Sequence, residues 1–196
     1  HVRPATGLKL REMLLVGNKR LIGEVIAIDG DEATVQVYEE TAGLSLGQPC
    51  EGTGRPLRLA RAPGLVGHIF DGIERPLDQI RDAHGAFIPE GLGLQQLSTE
   101  KVWNIKFTVK EGDQLEAGSV YGEVQETGSI VHRLLLPPDL SGKVTRIIKT
   151  TATIDEPVML LEDQAGKTHE VTMCQYWPVR EARPVKAHLT PDEPLL

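Results

Sequence analysis

Gly166-Lys167-Thr168 is the run in this sequence that looks most able to handle a phosphate. A loop of the form G-x-x-x-x-G-K-[ST] cradles phosphates on backbone N–H groups, with its lysine on the outer phosphates and its hydroxyl on the metal. The pattern requires its first glycine at position 161, which is Leu161. Glu162 and Asp163 follow, and two carboxylates repel phosphate where the loop must attract it. A β-rich run comes next where a helix must begin, so "EDQAG" is expected to be a hairpin turn between "PVMLLE" and "HEVTM". His68, His84, His132 and His169 stand singly, without H-x-x-x-H or H-E-x-x-H spacing, as surface or satisfied core residues do. Cys50 and Cys174 have no local active-site signature and read as small buried or half-buried thiols in a reducing compartment. Glu39-Glu40 and Asp29/Asp31 lie beside turns, where solvation explains them better than acid–base work. No catalytic residue, no cofactor-binding residue and no metal ligand is therefore expected in this chain.

A second stretch raises a different chemistry. "VKEGDQLEAGSVYGEVQETGSIVHRLLLPPDLSGKVTRI" has a "KEGD" turn, short strands, a hairpin and then "PPDLSGKV". It resembles a lipoyl or biotinyl carrier domain, in which a lysine at the hairpin tip takes the cofactor. The corresponding residues here are Gln125, Glu126, Thr127 and Gly128. Lys110 belongs to the "KEGD" turn and Lys143 to the "SGKV" turn, both away from that tip. Thr127-Gly128 can turn the chain but offers no amine to acylate. The shape is expected to survive without the carrier chemistry, as a structural module.

The elements that position these residues are mostly strands. The chain has 196 residues, 40% hydrophobic but only 4% aromatic, so its core must rest on Val, Ile, Leu and Ala. Gly 20 and Pro 13 favour short strands and turns over long helices. A net charge of −7 argues against a nucleic-acid partner. There is no apolar run of about 18 residues, so no direct membrane insertion by a helix is expected. In "RLIGEVIAIDGDEATVQVYEE", Ile22, Val25 and Ile28 lead to a hairpin signalled by Asp29-Gly30, and Val35 and Val37 alternate with polar residues beyond it. With the glycine-broken strands of "TAGLSLGQPCEGTGRPLRLA", this predicts a small barrel closing near Leu59. "HVRPATGLKL" reads as a turn and a second strand, so the barrel's natural first strand is expected to precede His1. One short helix is predicted over 76–84, with Pro76 at its first turn, Leu77, Ile80 and His84 near one face, and Gly85 at its end. Further strands are predicted in "NIKFTV", "SVYGEV", "IVHRLLL", "GKVTRII", "PVMLLE" and "HEVTMCQYW". "KEGDQLEAGSVYGEV" and "PPDLSGKVTRII" both enter a strand through a glycine turn, as a quasi-repeat would. A proline-rich extended tail closes the chain.

Taken in order, "LIGEVIAIDGDEATVQVYEETAGLSLGQP", "PGLVGHIFDGIERPLDQI", "VKEGDQLEAGSVYGEV", "VHRLLLPPDLSGKV" and "QYWPVREARPVKAHLTPDEPLL" cover nearly the whole sequence. Together they resemble the N-terminal part of the catalytic A subunit of V-type and A-type rotary ATPases. The resemblance implies a mainly β fold. Residues 1–62 would form an N-terminal β-barrel, 63–85 the start of a nucleotide-binding domain, 86–176 the lipoyl-like bulge or non-homologous region, and 177–196 a return linker. It implies a parent enzyme that couples ATP hydrolysis or synthesis to proton or sodium transport, with ATP and Mg at a site beyond Leu196. This piece alone would then be inactive. Implied partners are B subunits in an alternating A/B ring and central and peripheral stalk subunits, in a cytoplasmic sector peripheral to the membrane. The competing reading is a free-standing β-scaffold binding module with lipoyl-like topology and no attachment lysine.

Overall fold

The computed structural model describes residues 1–93, 97–185 and 187. Its first unit is an antiparallel sheet of β1 (Glu12–Val16), β2 (Leu21–Asp29), β3 (Glu32–Val37) and β4 (Cys50–Pro56), in the order β3-β2-β1-β4. Successive strand side chains point to opposite faces, so each face gathers its own small core. Leu14, Val25 and Ala33 join Ala5 on one side, while Met13 and Ile22 join Leu57 and Ile73 on the other. Asp29 pairs with Glu32, which leaves Gly30-Asp31 as the hairpin loop with Gly30 (φ 57) in its first central position. The strand sought in "HVRPATGLKL" forms later, as β1. Val2 instead bridges the outer edge of β3, exchanging hydrogen bonds of 2.8 and 3.0 Å with Ala33.

Beyond β5 (Arg58–Arg61) comes α1 (Leu77–His84). Pro76 supplies an extended residue before the helix, and the Gly85 N–H returns to the Arg81 carbonyl at 2.8 Å. Ile80 is its buried residue, and Asp78 in the first turn with Arg81 and His84 in the last suit the helix dipole.

The second unit contains β6 (Trp103–Phe107), β7 (Gln114–Leu115), β8 (Val120–Gln125), β9 (Val131–Leu135), β10 (Gly142–Ile147), β11 (Thr151–Ala152), β12 (Met159–Glu162) and β13 (Thr168–Val171). They form two sheets, β13-β12-β10-β7 and β11-β6-β8-β9. In β6, Trp103 and Ile105 are buried while Asn104 and Lys106 are exposed, the alternation of a sheet with one wet face. Tyr121, Val124 and Leu134 join them from one sheet, and Val144, Met159, Leu161 and Val171 from the other. The two glycine-turn entries meet in space: the Gly112 N–H donates to the Val144 carbonyl and the Val144 N–H to the Asp113 carbonyl, at 2.8 and 2.9 Å.

β14 (Gln175–Pro178) pairs with β5, setting Trp177 opposite Leu59. The barrel closure expected near Leu59 is thus replaced by a two-stranded ribbon. Pro56, at the end of β4, has no N–H to continue that ladder, and Ala60 and Ala62 are taken into the second unit's core. "HEVTMCQYW" accordingly divides into β13 and β14 as the chain passes between sheets. Most of the proline-rich tail lies outside the described residues.

Candidate functional site

The apparent phosphate loop is a hairpin turn whose anion is its own. Asp163 Oδ1 accepts hydrogen bonds from the backbone N–H groups of Ala165 (2.9 Å) and Lys167 (3.0 Å), and His169 Nε2 lies 2.8 Å from Asp163 Oδ2. His169 first, then these N–H groups, hold the Asp163 carboxyl below its ordinary value. Thr168 starts β13 rather than a helix. Cys50 is half-buried and Cys174 buried, and burial pushes the Cys174 thiol up to about 11. No group of three or more His, Cys, Asp or Glu among the described residues is placed to hold a metal. Among them, too, no helix is long and apolar enough to cross a membrane.

The tip of the β8–β9 hairpin, where a carrier domain would display its lysine, is docked. Glu126 Oε1 accepts from the Gly64 N–H at 2.6 Å and the Val66 N–H at 3.0 Å, and Oε2 lies 3.0 Å from His132 Nδ1. Its side chain is 3% exposed. Burial pushes this carboxyl's pKa up most strongly, but the two N–H groups and His132 together bring it below the ordinary value. Lys143 lies within β10, not in a turn.

Carboxylates concentrate where the two units join. Glu24, whose side chain is 3% exposed, receives Arg180 Nε at 2.8 Å on Oε1, and Arg180 Nη2 and Tyr38 Oη, both at 2.6 Å, on Oε2. Arg180 lowers the Glu24 pKa, burial opposes it and Tyr38 adds to it, with a net shift downward. Glu39, at 4% side-chain exposure, accepts from Arg75 Nη1 (3.1 Å) and the Gly91 N–H (2.8 Å), and Arg75 also donates to Asp71 Oδ2 (2.7 Å). Glu39 is therefore a buried clamp and not a solvated turn residue; Glu40 beside it is exposed, capping the Ala42 N–H. Glu74 accepts from the Ala60 N–H (3.0 Å) and Arg61 Nη1 (2.8 Å); burial nonetheless pushes its carboxyl up. A cleft of about 790 Å³ opens between these clamps, lined by Arg11, Glu24, Tyr38, Asp71, Arg75 and Arg180 among others. Arg75, ahead of α1, and Arg180, just after β14, are thus both fastened to buried glutamates of the first unit.

Residues 5–54 match the ATP synthase alpha/beta family beta-barrel domain, and residues 94–180 match the ATP synthase alpha/beta subunit barrel-sandwich domain. The chain belongs to the ATP synthase alpha/beta family, in the branch of V-type and A-type A subunits. It is 46% identical over 189 residues to the V-type ATP synthase alpha chain 2 of Clostridium tetani, covering 96% of this chain. To the A subunit of the A-type ATP synthase of Methanopyrus kandleri it is 47% identical over 191 residues (97% of this chain), and to that of Methanosarcina barkeri 43% over 188 residues (96%). In each case it spans 32% of the relative, about a third of its length.

Proposed function

We propose that this chain is a scaffolding part of the catalytic A subunit of a V/A-type ATPase or ATP synthase, whose whole couples ATP hydrolysis or synthesis to proton or sodium transport. The observation that carries the reading is the match to A-subunit relatives over 96–97% of the chain, in which both β units fall to ATP synthase domains. In this reading residues 1–62 are the barrel that helps build an alternating A/B ring and 63–85 begin the nucleotide-binding domain. Residues 86–176 are the bulge and 177–196 the return linker. The bulge would contact the peripheral stalk or another regulatory partner in a cytoplasmic sector peripheral to the membrane. ATP and Mg would bind elsewhere in the parent protein. The clamps of Glu24 and Glu39 support a mechanical role, because they hold segments on either side of the bulge against the barrel. The sequence supports the absence of nucleotide chemistry, since the one phosphate-loop candidate lacks its first glycine. Isothermal titration of this chain with Mg-ATP to millimolar concentration is expected to give no saturable heat; a saturable isotherm would overturn that part of the reading.

A further inference from the structure

The β5–β14 ribbon forms a neck, with Leu57 just before it in the first unit's core and Ala60 in the second's. Beside it, within the insertion that the second unit forms, a cavity of about 200 Å³ opens along β9. β9 is the outer strand of the sheet β11-β6-β8-β9, so among the described residues no further strand covers this side of it. Ala62, Leu134 and Met173 are buried and, with Leu65, give the cavity an apolar floor. Its charged lining is of one sign. Arg61, Arg133, Arg183 and His132 contribute to it, and no carboxylate does.

This runs against the composition, in which 28 Asp and Glu outnumber 21 Lys and Arg. The larger cleft between the units shows the ordinary arrangement, with Glu24 and Asp71 set among Arg11, Arg75 and Arg180. Arg183 Nη2 donates to Gln175 Oε1 at 2.8 Å, and its guanidinium lies 5.4 Å from the centre of the Trp177 ring. Gln175 is itself tied down by donating Nε2 to the Leu135 carbonyl. An amide and a ring hold this guanidinium in place without neutralising it. Arg133 stands opposite Glu123 in the β8–β9 ladder, but no ion pair joins them. Arg61 Nη1 is taken by Glu74 at 2.8 Å, and His132 Nδ1 lies 3.0 Å from Glu126 Oε2. Both glutamates lie outside the cavity's lining. Arg133 and Arg183 are thus two guanidinium groups at one cavity without an anionic partner among the described residues.

A concave site with an apolar floor and a few convergent charged groups has the make-up of a small-molecule pocket. Guanidinium groups match the planar, two-oxygen shape of a carboxylate. At about 30 Å³ of liquid volume per water, the space takes about six or seven heavy atoms. We propose that this pocket binds a short-chain carboxylate, with its anionic end between Arg133 and Arg183 and its hydrocarbon stem on Leu134 and Met173. This goes beyond the scaffold reading and does not depend on which complex the chain joins.

The test uses the full 196-residue chain, labelled for NMR and titrated with sodium butyrate at neutral pH. Saturable shifts in the millimolar range are expected for the Leu134 and Met173 methyl groups and for the Arg133 and Arg183 side-chain N–H signals. Leu14 and Val25, in the barrel core, should not move. Arg133→Ala and Arg183→Ala should each weaken binding about tenfold or more. Arg133 is exposed, so its variant keeps the fold and reads binding alone. Butylammonium, with the same stem and the opposite charge, should shift nothing. Inorganic phosphate should bind more weakly than butyrate, because it leaves the apolar floor uncovered. No saturation at tens of millimolar butyrate would overturn the proposal. So would butylammonium matching butyrate, which leaves only an apolar hollow, or phosphate matching it, which leaves only a patch of charge. Unchanged affinity in both arginine variants would overturn it too.

Discussion

Glu24→Gln removes one charge from the best-fastened point of the joint and leaves its shape in place. The parent carboxylate takes two donors from Arg180 and one from Tyr38. An amide offers one acceptor and turns its NH2 towards a donor, so one charge-assisted bond is lost and another weakened. Hydrogen bonds to charged groups contribute about 1.5–3 kcal/mol. The guanidinium end is 53% exposed and can recover water, which places the loss near the lower end, about 2 kcal/mol. With a urea dependence of about 2 kcal/mol per molar, the midpoint should fall by about 1 M at pH 7. Tryptophan fluorescence suits the assay, because Trp177 donates to the Glu181 carbonyl (2.7 Å) beside Arg180. The pH dependence has a definite sign. Folding lowers the Glu24 pKa below its ordinary 4.5, so on acidification the unfolded chain takes up the proton first. The carboxylate's contribution is complete above pH 4.5 and disappears as pH falls through the lowered value. The glutamine variant lacks this proton, so the two stabilities converge in acid. A gap under about 0.5 kcal/mol at pH 7, within the range of ordinary surface substitutions, would mean that the Arg180 and Tyr38 bonds to Glu24 do not fasten the joint. A gap of unchanged size at pH 3 would mean the same.

Four further outcomes follow from the same structure. Gly91→Ala sets a Cβ 1.9 Å from the Lys19 carbonyl oxygen at φ 69, so it should cost about 2 kcal/mol or more in thermal unfolding, while Gly93→Ala, facing open space, should be neutral. Leu161→Ala should destabilise the insertion by about 3 kcal/mol, with hydrogen exchange at Leu14 and Val25 in the barrel little changed. At pH 8 the half-buried Cys50 should react with a thiol reagent while Cys174, its thiol pushed up to about 11, lags by roughly a hundredfold until urea unfolds the chain. Expressed in a host with lipoate and biotin ligases, the chain should keep its unmodified mass; an added cofactor mass would revive a carrier role.

Local signals make much of this fold legible. Pro76 and Gly85 bracket the one helix among the described residues, Gly30 marks its hairpin, and the alternation of Trp103 to Lys106 gives β6. The two-residue strands β7 and β11 are not legible, because Gln114–Leu115 and Thr151–Ala152 are too short to carry a period. Nor is the neck: Leu59 looks like the last strand of a barrel until Trp177, distant in sequence, arrives as its partner. The joint is the least visible part. Glu24 offers a clue as a carboxylate within the apolar run "LIGEV", yet its partner Arg180 sits in a segment that reads as connector. Glu39 looks solvated because its neighbour Glu40 is, and nothing local tells which of two adjacent carboxylates turns inward towards Arg75. The missing lysine of the carrier-like tip is plain from the sequence, but that Glu126 docks there depends on the loop at Gly64 and Val66.

Whether the insertion serves contact and coupling rather than nucleotide chemistry is decided by deleting residues 86–171 from a full-length A subunit that carries this sequence. Complex assembly, nucleotide affinity and ATP-driven ion transport would then be measured side by side. Nucleotide affinity should stay close to that of the intact protein, with assembly or coupled transport clearly impaired. Normal coupled transport in the deletion would contradict such a role.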